Sequence, residues 1–298
     1  MGTIIEATAT ATAEGGSLPG ALGLADAAAR LCLQRAKRTA EEVDLLINAG
    51  VYNDKGISEP AVASLIQEDI GANPEPQPGA GQGTFSFDVR NGGCGMLSGI
   101  QLVDGMLASG TVKLGMVVAS DIDPEPGVSE GFGFPAVGGA VLLSADGSRA
   151  GFTAFRCVTF PEFAGLFTSN VAWREDPRPE RSDRGHNVLT VEIAKSYADR
   201  ALECAESTVR DLAAESVLDL GEVDLLVATA SVPGFAAALA QRLGMPAARV
   251  AMPSPALAGA HTAALAVALQ SVRLEVGRMA LFVCVSAGIT VVAALYQG

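Results

Sequence analysis

Cys94 lies in the run FSFDVRNGGCGMLSGIQLVDGMLASG, where a cysteine between glycines meets the start of a helical pattern. Phe85, Phe87 and Val89 alternate as in a half-buried strand, and Asn91, Gly92 and Gly93 predict a tight turn. Met96, Ile100, Val103 and Leu107 then recur at helical spacing, and Gly110 stops the helix. Cys94 is thereby placed in a helix's first turn, where unpaired N–H groups and the positive end of the dipole favour a thiolate. The glycines let backbone and substrate approach the sulfur closely. Such a cysteine is suited to nucleophilic catalysis. The competing reading is a small buried hydrophobe in a glycine-rich turn, so the elements around it decide.

Composition narrows the classes. The chain has 298 residues, 49% hydrophobic and 18% charged, which makes it globular and able to bury a large core as one body or two fused halves. The start, MGTIIEATATATAEGG, lacks the basic residues of a signal peptide, and no uninterrupted apolar run reaches spanning length, so a cytoplasmic location without membrane contact is expected. Five scattered cysteines with no CxxC pair fit a reducing compartment and argue against a disulfide framework or a zinc site; no metal and no other cofactor is expected. A net charge of −13 without a basic stripe makes nucleic acid an unexpected partner. Arg174, Arg178, Arg181 and Arg184 are mixed with acids and read as a solvated loop before a docking patch.

The chain repeats itself. EVDLLINAG from Glu42 returns as EVDLLVATA from Glu222, an offset of 180 residues. Each copy follows a helical segment. Each should be followed by a helix, a strand, a long helix and a final pair of apolar strands. In the first half that pair is VKLGMVVASD and GGAVLLSAD; in the second it is RMALFVCVSA and ITVVAALYQ. Alternating helices and continuous apolar strands predict α/β layers with mostly parallel pairing, and the repeat predicts two similar halves packed as one body. GANPEPQPGAGQG and DIDPEPGVSEGFG are predicted loops, and the segment from about Arg156 to Gly185 is the predicted link between halves.

The repeat also supplies a partner for Cys94. Cys94 opens the long helix of the first half; in the second, Gly259, Ala260 and His261 precede the matching helix in SPALAGAHTAALAVALQSVRLEVG. Two equivalent helix starts facing each other would form a nucleophile and base pair from Cys94 and His261. The alternative for His261 is a cap in a packed core. His186, the other histidine, lies in RGHNVL, a predicted surface loop entering a helix.

Two fused α/β halves with a cysteine at the first long helix resemble the thiolase superfamily, and β-ketoacyl-ACP synthase III in particular. From about residue 20 onward, FDVRNGGCGMLSGIQLVDGMLASGTVKLGMVVASD is similar to the stretch around that family's acyl-accepting cysteine, and SEPAVASLIQEDIGA to the helix before it. PAVGGAVLLSADG resembles the strand closing the first half, VDLLVATASVPGFAAALAQRLGMP the strand and helix carrying the first catalytic histidine, and SAGITVVAAL the closing glycine-rich turn and last strand. The resemblance implies duplicated halves in a layered αβαβα body, with an N-terminal half over residues 1–155 carrying Cys94 and a C-terminal half over 156–298 carrying His261.

The resemblance also marks departures. Thr229, 14 residues before Leu243 of the Leu-Gly-Met turn, stands in the place of the family's first histidine. His261 falls at or next to the family's asparagine. The resemblance then implies a catalytic set of Cys94, His261 and Thr229: Cys94 would take the acyl group from a thioester and His261 would move the proton. Gly95, Ser286 and Gly288 would frame the oxyanion hole or pocket, and Glu59 would stand near the acyl pocket. With the histidine missing, acyl transfer to an O, N or C acceptor is favoured over ordinary malonyl condensation, because losing one oxyanion donor costs about 100- to 1,000-fold. The expected activity is that of a ketoacyl synthase III-like acyltransferase or condensing enzyme of specialised metabolism. The alternative is a low-activity partner subunit of a heterodimeric ketosynthase. The implied partners are an acyl thioester on carrier protein or coenzyme A, and a second chain, by default an identical one. The family's tryptophan and arginine grip on coenzyme A has no counterpart, since the only tryptophan is Trp173.

Overall fold

The structure is a computed structural model that describes residues 2–12, 20–73, 83–148, 150–175 and 185–298. The duplicated EVDLL segments become strands with the same joints. Strands β2 (Leu45–Asn48) and β9 (Leu225–Thr229) each follow a single 3-10 turn, Ala40–Glu42 and Leu220–Glu222. Asp44 accepts from the N–H groups of Lys113 and Leu114, and Asp224 from that of Met279, so each aspartate ties its strand to the next one.

The first half runs β1 (Gly2–Thr12), α1 (Ala21–Ala36), β2, α2 (Val62–Ile70), β3 (Phe85–Asp88), α3 (Gly95–Ala108), β4 (Leu114–Asp121) and β5 (Val137–Asp146). Its sheet has the order β1-β5-β4-β2-β3. The second half runs β6 (Gly151–Thr159), β7 (Phe167–Glu175), β8 (Gly185–Ile193), α4 (Tyr197–Glu215), β9, α5 (Phe235–Leu243), α6 (Ala264–Leu269), β10 (Met279–Ser286) and β11 (Thr290–Gln297), with the sheet order β6-β11-β10-β9.

Three apolar clusters show the layering. Helices α1 and α2 cover the outer face of the first sheet through Ala28, Leu33 and Ile66, while α4 and α5 cover the outer face of the second through Val209 and Leu239. Helices α3 and α6 fill the space between the sheets, where Ile100 and Leu265 meet Val141 and Phe282. The result is the expected αβαβα stack, and β4, β10 and β11 read as continuous apolar runs because both of their faces are covered.

Several expectations need correction. Pairing is mixed rather than mostly parallel: β2 runs parallel to β3 and β4, and β9 to β10, but β4–β5, β10–β11, β1–β5 and β6–β11 are antiparallel. Each half ends in two strands joined by a direct connection, which forces the reversal. The second half's long helix shrinks to α6, six residues from Ala264 to Leu269. Pro253, Pro255 and a left-handed Gly259 (φ 90°) keep the preceding stretch from continuing as α-helix, leaving a single 3-10 turn over Pro255–Leu257. The repeat of β3 is reduced to one bridge, Leu226 to Val250. The supposed link holds β6 and β7, and His186 belongs to β8, opposite Arg174, rather than to a loop entering a helix. The boundary expected between residues 155 and 156 falls inside β6, which pairs with β11.

DIDPEPGVSEGFG connects β4 to β5 as a loop, apart from a bridge from Glu130 to Thr190. Residues 74–82 of the other predicted loop, and Arg178, Arg181 and Arg184 of the arginine run, lie outside the described residues. Arg174 donates to the Glu130 carboxylate at 2.6 and 3.0 Å. Among the described residues, no helix is long and apolar enough to cross a membrane.

Candidate functional site

The turn from β3 to α3 forms as expected. Gly92, with a φ of 47°, opens a 3-10 turn through Cys94, and α3 continues from Gly95. The side chain of Cys94, however, is turned inward. It is fully buried in the cluster between the two sheets, and its Sγ lies 3.1 Å from the carbonyl oxygen of Cys284 and 3.3 Å from that of Thr290. Two carbonyls accept from a thiol but repel a thiolate. Burial pushes the Cys94 thiol well above its ordinary pKa, and the neighbouring Cys284 adds to the effect. The thiolate expected from the helix dipole is therefore opposed by desolvation, the larger effect for a group with no access to water.

Thr229 is engaged within the second sheet. It ends β9 beside Cys284 of β10, and its hydroxyl donates to Cys284 Sγ at 3.3 Å. Burial raises the Cys284 thiol to about 12. Of the remaining predicted residues, Gly95 packs its open side against Ala49, and Glu59 stands exposed in the loop before α2. Gly288 makes the turn between β10 and β11 with a φ of 98°. Ser286, nearly buried at the end of β10, does face Gly92: a Cβ at Gly92 would collide with Ser286 Oγ.

His261 is the residue around which polar and apolar groups converge. It is 4% exposed, on the turn before α6. Phe134 stacks on its ring at 4.6 Å between centroids, with Tyr52 at 5.4 Å and Phe167 at 6.0 Å. Its Nδ1 lies 2.7 Å from the hydroxyl oxygen of Ser231, on the loop that follows β9. A Cβ built on Gly92 would come within 3.4 Å of His261 Cε1, and one on Gly93 within 3.9 Å of Ser231 Oγ. The turn before Cys94 therefore presents two bare α-carbons to the histidine and serine, while the cysteine points to the other side.

Asp121, at the end of β4, fixes this arrangement. Its Oδ1 accepts from the N–H groups of Val51 and Tyr52 at 3.0 and 2.8 Å, and its Oδ2 from the N–H and hydroxyl of Thr262 at 2.9 and 2.6 Å. One buried carboxylate thus joins the loop after β2 to the turn that holds His261. Burial lowers the His261 pKa below its ordinary value, against a smaller opposing pull from Asp121. A neutral imidazole beside a hydroxyl can take its proton.

Sequence reasoning missed Ser231 and Asp121. The signal for Ser231 was the repeat: it falls at the offset of 180 residues from Val51, just past a strand end. The signal for Asp121 was an acid closing the otherwise apolar strand LGMVVASD. Among the described residues, no group of three or more His, Cys, Asp or Glu side chains could hold a metal ion.

No family model matches the sequence. The chain is 26% identical over 281 residues to β-ketoacyl-[acyl-carrier-protein] synthase III of Bordetella petrii, covering 90% of this chain and 78% of that protein. Its fold superposes with a TM-score of 0.80 on 3-oxoacyl-[acyl-carrier-protein] synthase III from Aquifex aeolicus, at 17% identity and 100% of both chains. It also superposes with a TM-score of 0.80 on OleA of Xanthomonas campestris, solved with lauric acid and lauroyl-CoA, at 16% identity over 100% of this chain and 99% of that one. With the duplicated halves, the five layers and the glycine turn at the head of α3, these likenesses give the chain the layered fold of the synthase III and OleA structures and a sequence similar to synthase III along most of its length.

Proposed function

We propose that this chain is an acyl-transferring enzyme that takes an acyl thioester in front of His261 and passes the acyl group on without storing it on Cys94. The observation that carries this reading is the contrast in the site: Cys94 Sγ is fully buried against two carbonyl oxygens, whereas His261 Nδ1 meets a half-buried hydroxyl beside two bare glycines. The synthase III relatives support acyl-thioester chemistry, and the OleA structure with lauroyl-CoA shows such a molecule in a protein of this fold. His261 acts as the base for the acceptor, since it is held neutral and aimed at a hydroxyl. Carbon–carbon condensation on a cysteine-bound acyl group is disfavoured, because the Cys94 thiol is buried against two carbonyl oxygens and the Thr229 hydroxyl is engaged by Cys284.

A second reading is the partner subunit of a paired ketosynthase. Gly92 and Gly93 favour it, since they leave the turn facing His261 without a side chain. Thiol release from acyl-N-acetylcysteamine thioesters, measured on the purified chain, separates the two. Release that persists in Cys94→Ala and falls in His261→Ala supports the enzyme. Release only after adding a related chain supports the subunit, and release abolished by Cys94→Ala restores the acyl-cysteine.

A further inference from the structure

We propose that Ser231 is the acyl-accepting nucleophile of this site, with His261 as its base, so that an acyl thioester is converted to a serine ester and then delivered to a hydroxyl acceptor. This rests on the acyl-thioester reading above and assigns the atom that reading leaves open.

The geometry is that of a nucleophile and its base. Ser231 Oγ and His261 Nδ1 are 2.7 Å apart, inside the range over which a proton is handed across in one step. The ring is held in place from one side by Phe134 and through the next residue by Asp121, which clamps both the N–H and the hydroxyl of Thr262. The serine sits on the short loop between β9 and α5, whose Ala230, Val232 and Pro233 line a neighbouring apolar cleft with Met252, Leu257 and Ala260, although Ser231 and His261 do not themselves line it. Such a cleft suits the hydrocarbon part of an acyl chain or thioester arm. Gly93 lies on another side of the serine: a Cβ there would come within 3.9 Å of Ser231 Oγ and would collide with the carbonyl oxygen of Val285, so the turn packs closely on the end of β10.

The balance of the step is simple. Oγ attacks the thioester carbonyl while its proton passes to Nδ1. The carbon–sulfur bond breaks, and the proton moves from Nδ1 to the departing thiolate, leaving a serine ester and a free thiol. An alcohol, or water, then attacks the ester; its proton passes to Nδ1 and on to Ser231 Oγ as the ester bond breaks. No oxidant, metal or further reactant is needed. An oxygen ester is a poorer acyl donor to a carbanion than a thioester is, so a hydroxyl acceptor follows from the serine. The lowered pKa of His261 keeps Nδ1 able to accept at neutral pH.

The test uses the full chain, hexanoyl-N-acetylcysteamine and a fluorophosphonate probe, which reacts with activated serines without needing a thioester pocket. Intact mass and peptide mapping should place a hexanoyl group on the peptide carrying Ser231. The adduct should survive in Cys94→Ala, disappear in Ser231→Ala and form at least about 100-fold more slowly in His261→Ala. Ser231→Cys, which keeps a nucleophile at the same place, should regain the adduct as a thioester and so separates lost chemistry from lost folding. A hexanoyl group on Cys94, or thiol release unchanged in Ser231→Ala, overturns the nucleophile and leaves the acyl-transfer reading standing. Probe labelling of Ser231 without any thiol release sinks the acyl-thioester reading while keeping an activated serine. Absence of both labelling and thiol release overturns both.

Discussion

The turn at Cys94 and the turn at His261 are equivalent places in a repeated fold, and they have opposite characters. Both precede a helix packed between the two sheets. At the first, the side chain points back into the sheet and ends against carbonyl oxygens of β10 and of the first residue of β11. At the second, the side chain points out of the sheet, toward Ser231 and an aromatic wall. Which residue of a turn bears the functional group matters as much as the turn itself: a Cβ at Gly92 would collide with Ser286 Oγ beside His261, and one at Gly93 with the Val285 carbonyl oxygen near Ser231, so the side chain is borne one residue later and enters the core. The repeated loops after β2 and β9 differ in the same way. Val51 and Tyr52 give their backbone N–H groups to Asp121, whereas Ser231 gives its side chain to the histidine.

The largest expected effect breaks the second turn. His261→Ala should lower acyl transfer by about 100- to 10,000-fold, measured as thiol release, with the fold retained by circular dichroism. Retained activity would remove the chemical contrast between the two turns. Next comes the clamp that joins them. Asp121→Ala would leave the N–H groups of Val51, Tyr52 and Thr262 and the Thr262 hydroxyl without their acceptor, and denaturant melts should show a loss of about 3 to 5 kcal/mol. A loss under about 1 kcal/mol would show that the two loops hold themselves.

Acidity sharpens the comparison more gently. His261 has a lowered pKa in the fold, so in the unfolded chain it takes up its proton first as pH falls through about 6.5. Its contribution to stability is present above that pH and is lost below it, down to the folded value. The acyl-transfer rate should stay level from pH 8 to pH 7 and decline only below about 6.5. In His261→Gln the difference in melting midpoint between pH 7.5 and 5.5 should shrink, and an unchanged difference would deny the buried neutral imidazole. The smallest effect belongs to the first turn. Cys94→Ala should cost about 1 to 2 kcal/mol in stability through lost packing, with thiol release unchanged. A thiol reagent should modify Cys157, the exposed cysteine, long before Cys94.

Much of the fold was legible because it rests on local patterns. Phe85 to Val89, the glycine turn and Met96 to Leu107 were read as strand, turn and helix and stand as β3, the 3-10 turn and α3. The EVDLL repeat located β2 and β9 and implied the second sheet. Pairing direction was not legible, since an apolar run such as VVAALYQ looks the same whether its neighbour runs parallel or antiparallel to it. The length of α6 was misjudged because alanine-rich sequence favours helix, whereas Gly259 and the Asp121 contact to Thr262 decide where that helix begins. In the site, His261 was legible because the repeat sets it at the turn matching that of Cys94. Ser231 was passed over because a serine in a turn carries no pattern until its neighbour in space is known.

The sequence by itself determined that two similar α/β halves form, that a glycine-rich turn heads α3, and that His261 stands at the matching turn, because periodicity and repetition are properties of the chain alone. The tertiary structure alone decided which side chains meet. A change of one residue along a turn rotates a side chain from the site into the core. The surroundings it finds there, two carbonyl oxygens for Cys94 and a hydroxyl for His261, set which of them can exchange a proton at neutral pH.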